Sequence, residues 1–200
     1  MAEQAHGEEA RRLIADVDGV RRRTRASIGG FWFPLILFGS LMLAGTAVGA
    51  AFGGPAVAVF WTVSGPVGGA ATAVFFVRRG RHAGMQRPPA PWLAVTALIM
   101  MGAFATGALG GAFGWPRFAA AGPAFAISIG YALFARLAGH APTGILAGAL
   151  AVLTAVLLLT GVTTDVLQVV VGLAYGGAFV ALGLANAAQR VQIRANPAAR

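Results

Sequence analysis

The chain has 200 residues, 58% of them hydrophobic and 10% charged, with a mean hydropathy of +0.75. Soluble domains carry about 25% charged residues, so a water-soluble fold lacks the polar surface it needs and one membrane-embedded domain is the reading left. The net charge of +9 does not point to nucleic acid: the surplus is a few arginines, grouped where membrane topology would place them rather than spread over a broad basic face.

All basic residues are arginine and none is lysine. With so much Ala and Gly, this composition suggests a high-GC bacterial genome. The absence of Cys excludes disulfides, thiol catalysis and cysteine metal sites.

Residues 1–29 form a polar, Arg-rich segment. A helix is expected over 8–27, with Glu8 and Glu9 near its start and arginines near its end, as the macrodipole favours. Ala10, Leu13, Ile14, Val17 and Val20 make a narrow apolar stripe on it. Such a helix either lies on the membrane surface, its arginines on anionic lipid, or docks a cytoplasmic partner. The apolar run that follows is too long for a signal-peptide core and is expected to stay as an anchor.

A helix crossing about 30 Å of hydrocarbon needs roughly 20 apolar residues. Six spans are expected near 31–52, 56–77, 92–112, 117–136, 143–163 and 166–188. Gly53-Gly54-Pro55, Gly114-Trp115-Pro116 and Gly139-His140-Ala141-Pro142 separate them, with proline suited to a first helical turn. Asp165 and Gln168 resemble a capping box for the sixth span. The predicted fold is an all-α bundle of six transmembrane helices in three hairpins, spanning 30–188, with a tail over 189–200.

Placing both termini in the cytoplasm puts 14 of the 15 arginines on the inner side: the N-terminal group, including Arg21, Arg22, Arg23 and Arg25; the loop group Arg78, Arg79, Arg81 and Arg87; then Arg136; and Arg190, Arg194 and Arg200 in the tail. Only Arg117 falls outside. The positive-inside rule therefore selects an even number of spans and a bacterial cell-membrane orientation with both ends inside. Trp32, Trp92, Trp115 and Trp61 fall at or near the two interfaces, where amphipathic rings are favoured.

Ala51-Phe52-Gly53-Gly54-Pro55 resembles Ala112-Phe113-Gly114-Trp115-Pro116. Either a hairpin repeat or chance in a Gly- and Ala-rich chain accounts for it.

The middle of each span carries no Asp, Glu, Lys, Arg or His. Proton coupling and intramembrane hydrolysis draw on such groups, so no catalytic residue, metal set or cofactor is expected. His6, His82 and His140 all fall outside the spans and do not face one another as haem ligands would.

Span two is the most irregular. In Thr62-Val63-Ser64-Gly65-Pro66, the proline cannot donate to the Thr62 carbonyl, and a kink is expected. Thr62, Ser64, Gly65 and Pro66 are thus a candidate hinge or cavity; the plainer account is a packing kink satisfied by Ser64 or neighbouring helices. Glycines recur at four-residue spacing: Gly45, Gly49 and Gly53; Gly65 and Gly69; Gly107 and Gly111; Gly144 and Gly148; Gly172 and Gly176. These are read first as intramolecular packing faces, with a homo-oligomer interface left open. Arg117 and Asp165 are a candidate outer-face ion pair.

The opening run Glu9-Ala10-Arg11-Arg12-Leu13-Ile14-Ala15-Asp16-Val17-Asp18, with Val20-Arg21-Arg22-Arg23-Thr24-Arg25 and Phe31-Trp32-Phe33-Pro34-Leu35-Ile36-Leu37-Phe38-Gly39, resembles a group of uncharacterised actinobacterial multi-pass membrane proteins. The resemblance covers about the first 40 residues. It implies a membrane stress or regulatory setting, since such proteins are often encoded beside winged-helix regulators.

Three functions fit this pattern. The leading expectation is a non-enzymatic regulatory or accessory component, with a partner engaging 1–27 or 78–91 and anionic headgroups on the inner arginines. The alternative is a small permease for a neutral or lipophilic solute, its polar path lined by Thr62, Ser64, Thr106, Ser128, Thr154 and Tyr175, with Pro66 as hinge. A membrane enzyme comes third, using Arg78, Arg79, Arg81, His82 and Arg87 to hold a phosphate or lipid headgroup.

Overall fold

The computed structural model describes residues 32–82 and 90–195. These form an all-α arrangement of six helices: α1 (Trp32–Phe52), α2 (Gly54–His82), α3 (Ala90–Ala112), α4 (Pro116–Ala138), α5 (Ala141–Leu159) and α6 (Thr164–Ala195). Each contains a stretch long and apolar enough to cross a membrane, and the chain is a multi-pass membrane protein. The expected 8–27 helix, the arginines at 21, 22, 23, 25 and 87, and the last residues of the tail lie outside the described residues.

The helix ends follow from local chemistry. Gly139 takes a left-handed conformation (φ 69°) and closes α4, with His140 N–H donating to the Ala135 carbonyl at 2.8 Å. Only glycine adopts that conformation without cost. Gly161 (φ 37°) is why α5 stops at Leu159 and not near 163. At the other extreme α6 runs through Ala195, well past the expected end at 188. No Gly or Pro interrupts 184–195.

The three hairpins pack unequally. The order along the chain is as predicted, but α6 makes its main contact with α1, while its contact with its sequence neighbour α5 is slight. The reason is backbone approach. A Cβ on Gly39 would lie 2.9 Å from both the Gly176 carbonyl oxygen and the Val180 nitrogen. One on Gly183 would lie 3.0 Å from the Ile36 nitrogen and the Trp32 carbonyl oxygen. The antiparallel register continues through Gly172, which abuts Thr46, to Gly49 beside Gln168. Thr46 donates its hydroxyl to the Met42 carbonyl of its own helix (2.9 Å).

A second glycine seam joins α3 to α4. A Cβ on Gly110 would come within 2.8 Å of Ala119 Cα, and one on Gly122 within 2.7 Å of Thr106 Cβ. Further along, Gly130 accepts the Ile99 side chain. Helix α4 also packs against α5 and α6 and is the hub of the bundle, whereas α2 packs chiefly on α1 and α3 chiefly on α4.

The two resembling turns do share a left-handed glycine, Gly53 (φ 82°) and Gly114 (φ 66°). Their hairpins pack differently, however. α1 and α2 meet through rings, with Trp61 and Phe60 against Gly45 and Phe75 stacked on Phe33 at 4.8 Å.

Candidate functional site

Three places in the bundle gather polar chemistry. The first is a hydroxyl cluster where α4, α5 and α6 converge. Ser128 Oγ donates to Tyr175 Oη at 2.7 Å. Thr154 Oγ1 lies 2.8 Å from Tyr175 Oη and 2.9 Å from the Leu150 carbonyl, which also accepts from Tyr175 at 3.1 Å. All three side chains are fully buried. Their polarity alone suggests a path through the bundle; the structure brings them together but turns every hydroxyl onto another group of the cluster. A buried network whose members all have partners holds elements in register. Tyr131 and Phe179 close the floor, their rings 4.9 Å apart.

The other expected path residues stand apart. Thr106 donates to the Gly102 carbonyl at 2.8 Å and lies in the α3–α4 seam. Ser64 donates to the Phe60 carbonyl at 2.7 Å. Helix α2 is continuous through Pro66. Thr62 and Pro66 are on its exposed side, Ser64 and Gly65 are half-buried, and open space surrounds the Gly65 Cα where a Cβ would project. The candidate hinge therefore lies on a peripheral helix, with Thr62 and Pro66 exposed and Ser64 and Gly65 half-buried.

The second place is Arg117, at the start of α4. Its guanidinium donates to the Leu157 carbonyl at 2.8 Å. The expected partner, Asp165, is exposed at the first turn of α6, and no ion pair joins the two. The last carbonyls of a helix lack intrahelical donors and carry the negative end of its dipole, so the end of α5 is the stronger attraction for a cation. A partner that acts only through its backbone carbonyl leaves no trace in a sequence, which is why residue types alone point to Asp165 instead.

The third place is the face at which α1, α3 and α5 begin and α2, α4 and α6 end. Arg78, Arg81 and His82 are exposed on it at the last turns of α2. Arg79 lies over the Phe75 ring, 5.8 Å from its centroid, a cation–π distance. Arg136 is exposed at the end of α4. His140 caps α5: its Nδ1 accepts from the Thr143 backbone N–H at 3.4 Å and lies 2.8 Å from Thr143 Oγ1. Among the described residues, no group of three or more His, Asp or Glu side chains could hold a metal ion.

Comparison of the chain with protein-family models, with curated proteins and with solved structures finds no match, so the functional reading rests on the geometry of these three places.

Proposed function

We propose that this protein is a non-enzymatic regulatory or accessory component of a bacterial cell membrane, oriented with both termini in the cytoplasm, whose arginine-rich face engages a cytoplasmic protein. One observation carries the reading: the last turns of α2 present Arg78 and Arg81 exposed on that face. Phe75 packs edge-on against Trp32 at the start of α1 (5.8 Å), and α2 continues to His82, about 10 Å further. Gly183 sits beside the Trp32 carbonyl, and α6 continues to Ala195, about 18 Å further. Arg78 and Arg81, exposed at the end of α2, suit an acidic protein surface. The positive-inside rule supports the orientation, and the resemblance of the opening residues to actinobacterial membrane proteins supports the bacterial setting.

The test is photo-cross-linking from position 81 in living cells. One discrete partner is expected, its yield falling severalfold in the Arg78→Ala/Arg79→Ala variant. Deletion of residues 1–20 that left every co-purifying partner and the cellular phenotype intact would sink the proposal. Labelling of a cysteine introduced at position 84 from outside intact cells would overturn the orientation.

A permease is the alternative, favoured by the position of α2. Held chiefly by α1 and containing Pro66, it is the helix with the fewest restraints on movement. That reading requires solute flux in liposomes that falls in Pro66→Ala. The closed hydroxyl cluster favours the accessory role.

A further inference from the structure

The α4–α5 turn holds a feature that neither reading uses. A groove of about 440 Å³ opens there, lined by Ala132, Ala135 and Arg136 from α4, Gly139 and His140 from the turn, and Gly144 with its neighbours from α5. Its walls are small and apolar, and its mouth is polar. We propose that this groove binds one glycerophospholipid with a net-negative headgroup, its phosphate at Arg136 and His140 and an acyl chain along the alanine- and glycine-lined wall between α4 and α5.

Three features of the mouth converge on an anion. Arg136 is exposed, and no acidic side chain among the described residues accompanies it, since Asp165 lies on the opposite face. His140 holds Nδ1 on Thr143, 3.4 Å from its backbone nitrogen and 2.8 Å from its hydroxyl, which leaves Nε2 as the ring nitrogen for an anion. The first turn of α5 presents the positive end of its dipole at the same point, with the capping residue His140 half-buried beside it.

Depth and shape select a lipid over a soluble anion. The mouth lies where two membrane-crossing helices meet, at the level of headgroups. The wall then continues into the apolar zone. A Cβ on Gly144 would make only ordinary contact with Ala135, at 3.4 Å, and one turn on, Gly148 has open space where a Cβ would be. An acyl chain laid along this face would meet no side chain at Gly148. Pockets of this kind between transmembrane helices, basic at the rim, take anionic headgroups. The site stands whether or not the arginine-rich face also binds a protein.

The test is native mass spectrometry of the full-length protein from nanodiscs of mixed phosphatidylglycerol and phosphatidylcholine. One retained phosphatidylglycerol is expected per chain, and little phosphatidylcholine. Arg136→Gln should reduce retention about fivefold, the effect of one arginine near a headgroup. Ala132→Leu, which narrows the groove without touching charge, should reduce it as well while leaving helical content unchanged. Equal losses in Arg78→Gln and Arg136→Gln would overturn the proposal in favour of diffuse attraction to the whole face. So would retention unaffected by Ala132→Leu, because the acyl chain would then lie elsewhere.

Discussion

Helices α3 and α4 are joined by a three-residue turn, and their most apolar stretches have the same mean hydropathy, yet 50% of the α4 stretch is buried against 6% for α3. The most apolar helix of all, α5, is only 22% buried. Hydrophobicity therefore does not decide which helix is central. Lipid is as apolar as a leucine side chain, so helices gain little by hiding apolar surface from it. Close packing and interhelical hydrogen bonds decide instead. Helix α4 has both: Gly122 and Gly130 toward α3, Ala135 toward Gly144 of α5, and Ser128 toward Tyr175 of α6. Helix α3 meets a neighbour through its small residues on one side only; its outer side leaves Ala105, Ala108 and Gly111 without a partner helix and carries Met101, Phe104 and Leu109 into lipid.

The sharpest way to break this comparison is to put the same bulk on a seam and on an open face. Gly39→Leu forces a side chain into backbone atoms of α6 at 2.9 Å and should destabilise the protein by about 3 kcal/mol. Gly111→Leu, on an exposed face of α3 with nothing within 4 Å, should change stability by less than about 0.5 kcal/mol. Reversible unfolding in mixed micelles measures both. Similar losses at the two sites would mean that glycine content, not backbone approach, governs stability.

The six spans were legible in the sequence because they depend on where charges are absent. Arg117, Arg136 and Asp165 fall at helix ends, as the charge pattern required, and the six spans follow. Partners were not legible, because every helix but α4 offers glycines at four-residue spacing. Gly172 and Gly176 do lie in a seam. Gly148, Gly111 and Gly65 face open space despite the same spacing. Meanwhile Gly39, Gly110, Gly122, Gly130 and Gly183 meet a neighbouring helix about as closely as Gly49, Gly172 and Gly176 do, yet sit outside that pattern. What distinguishes the two sets is the atom opposite, and that depends on the whole bundle. The same holds for Ser128, Thr154 and Tyr175: their polarity was visible, but whether they would line a path or satisfy one another depended on register.

The hydroxyl cluster sharpens the comparison at a smaller scale. Tyr175→Phe keeps the ring against Phe179 and removes only the group shared by Ser128, Thr154 and the Leu150 carbonyl. Interhelical hydrogen bonds in membranes contribute modestly, so a loss of about 1 kcal/mol is expected. Thr154→Val should be nearly non-additive with it, because both substitutions break the same network. Fully additive losses in the double variant would show that the hydroxyls act independently and do not tie the three helices.

The periphery offers the converse case, with the smallest effect and the opposite sign. Thr72 of α2 is 8% exposed, and its Oγ1 is buried without a hydrogen-bond partner. Threonines at the seams avoid this by donating to their own helix, as Thr46 and Thr154 do. A buried hydroxyl left unpaired lowers stability, and replacing it by a methyl of the same shape removes the penalty. Thr72→Val should therefore stabilise the protein by about 0.5–1 kcal/mol, whereas Thr154→Val should destabilise it. Opposite signs from one chemical change would locate the specifying hydrogen bonds in the α4–α5–α6 core. If Thr72→Val instead costs stability, the hydroxyl has a partner in the membrane, and α2 is held by more than its ring contacts with α1.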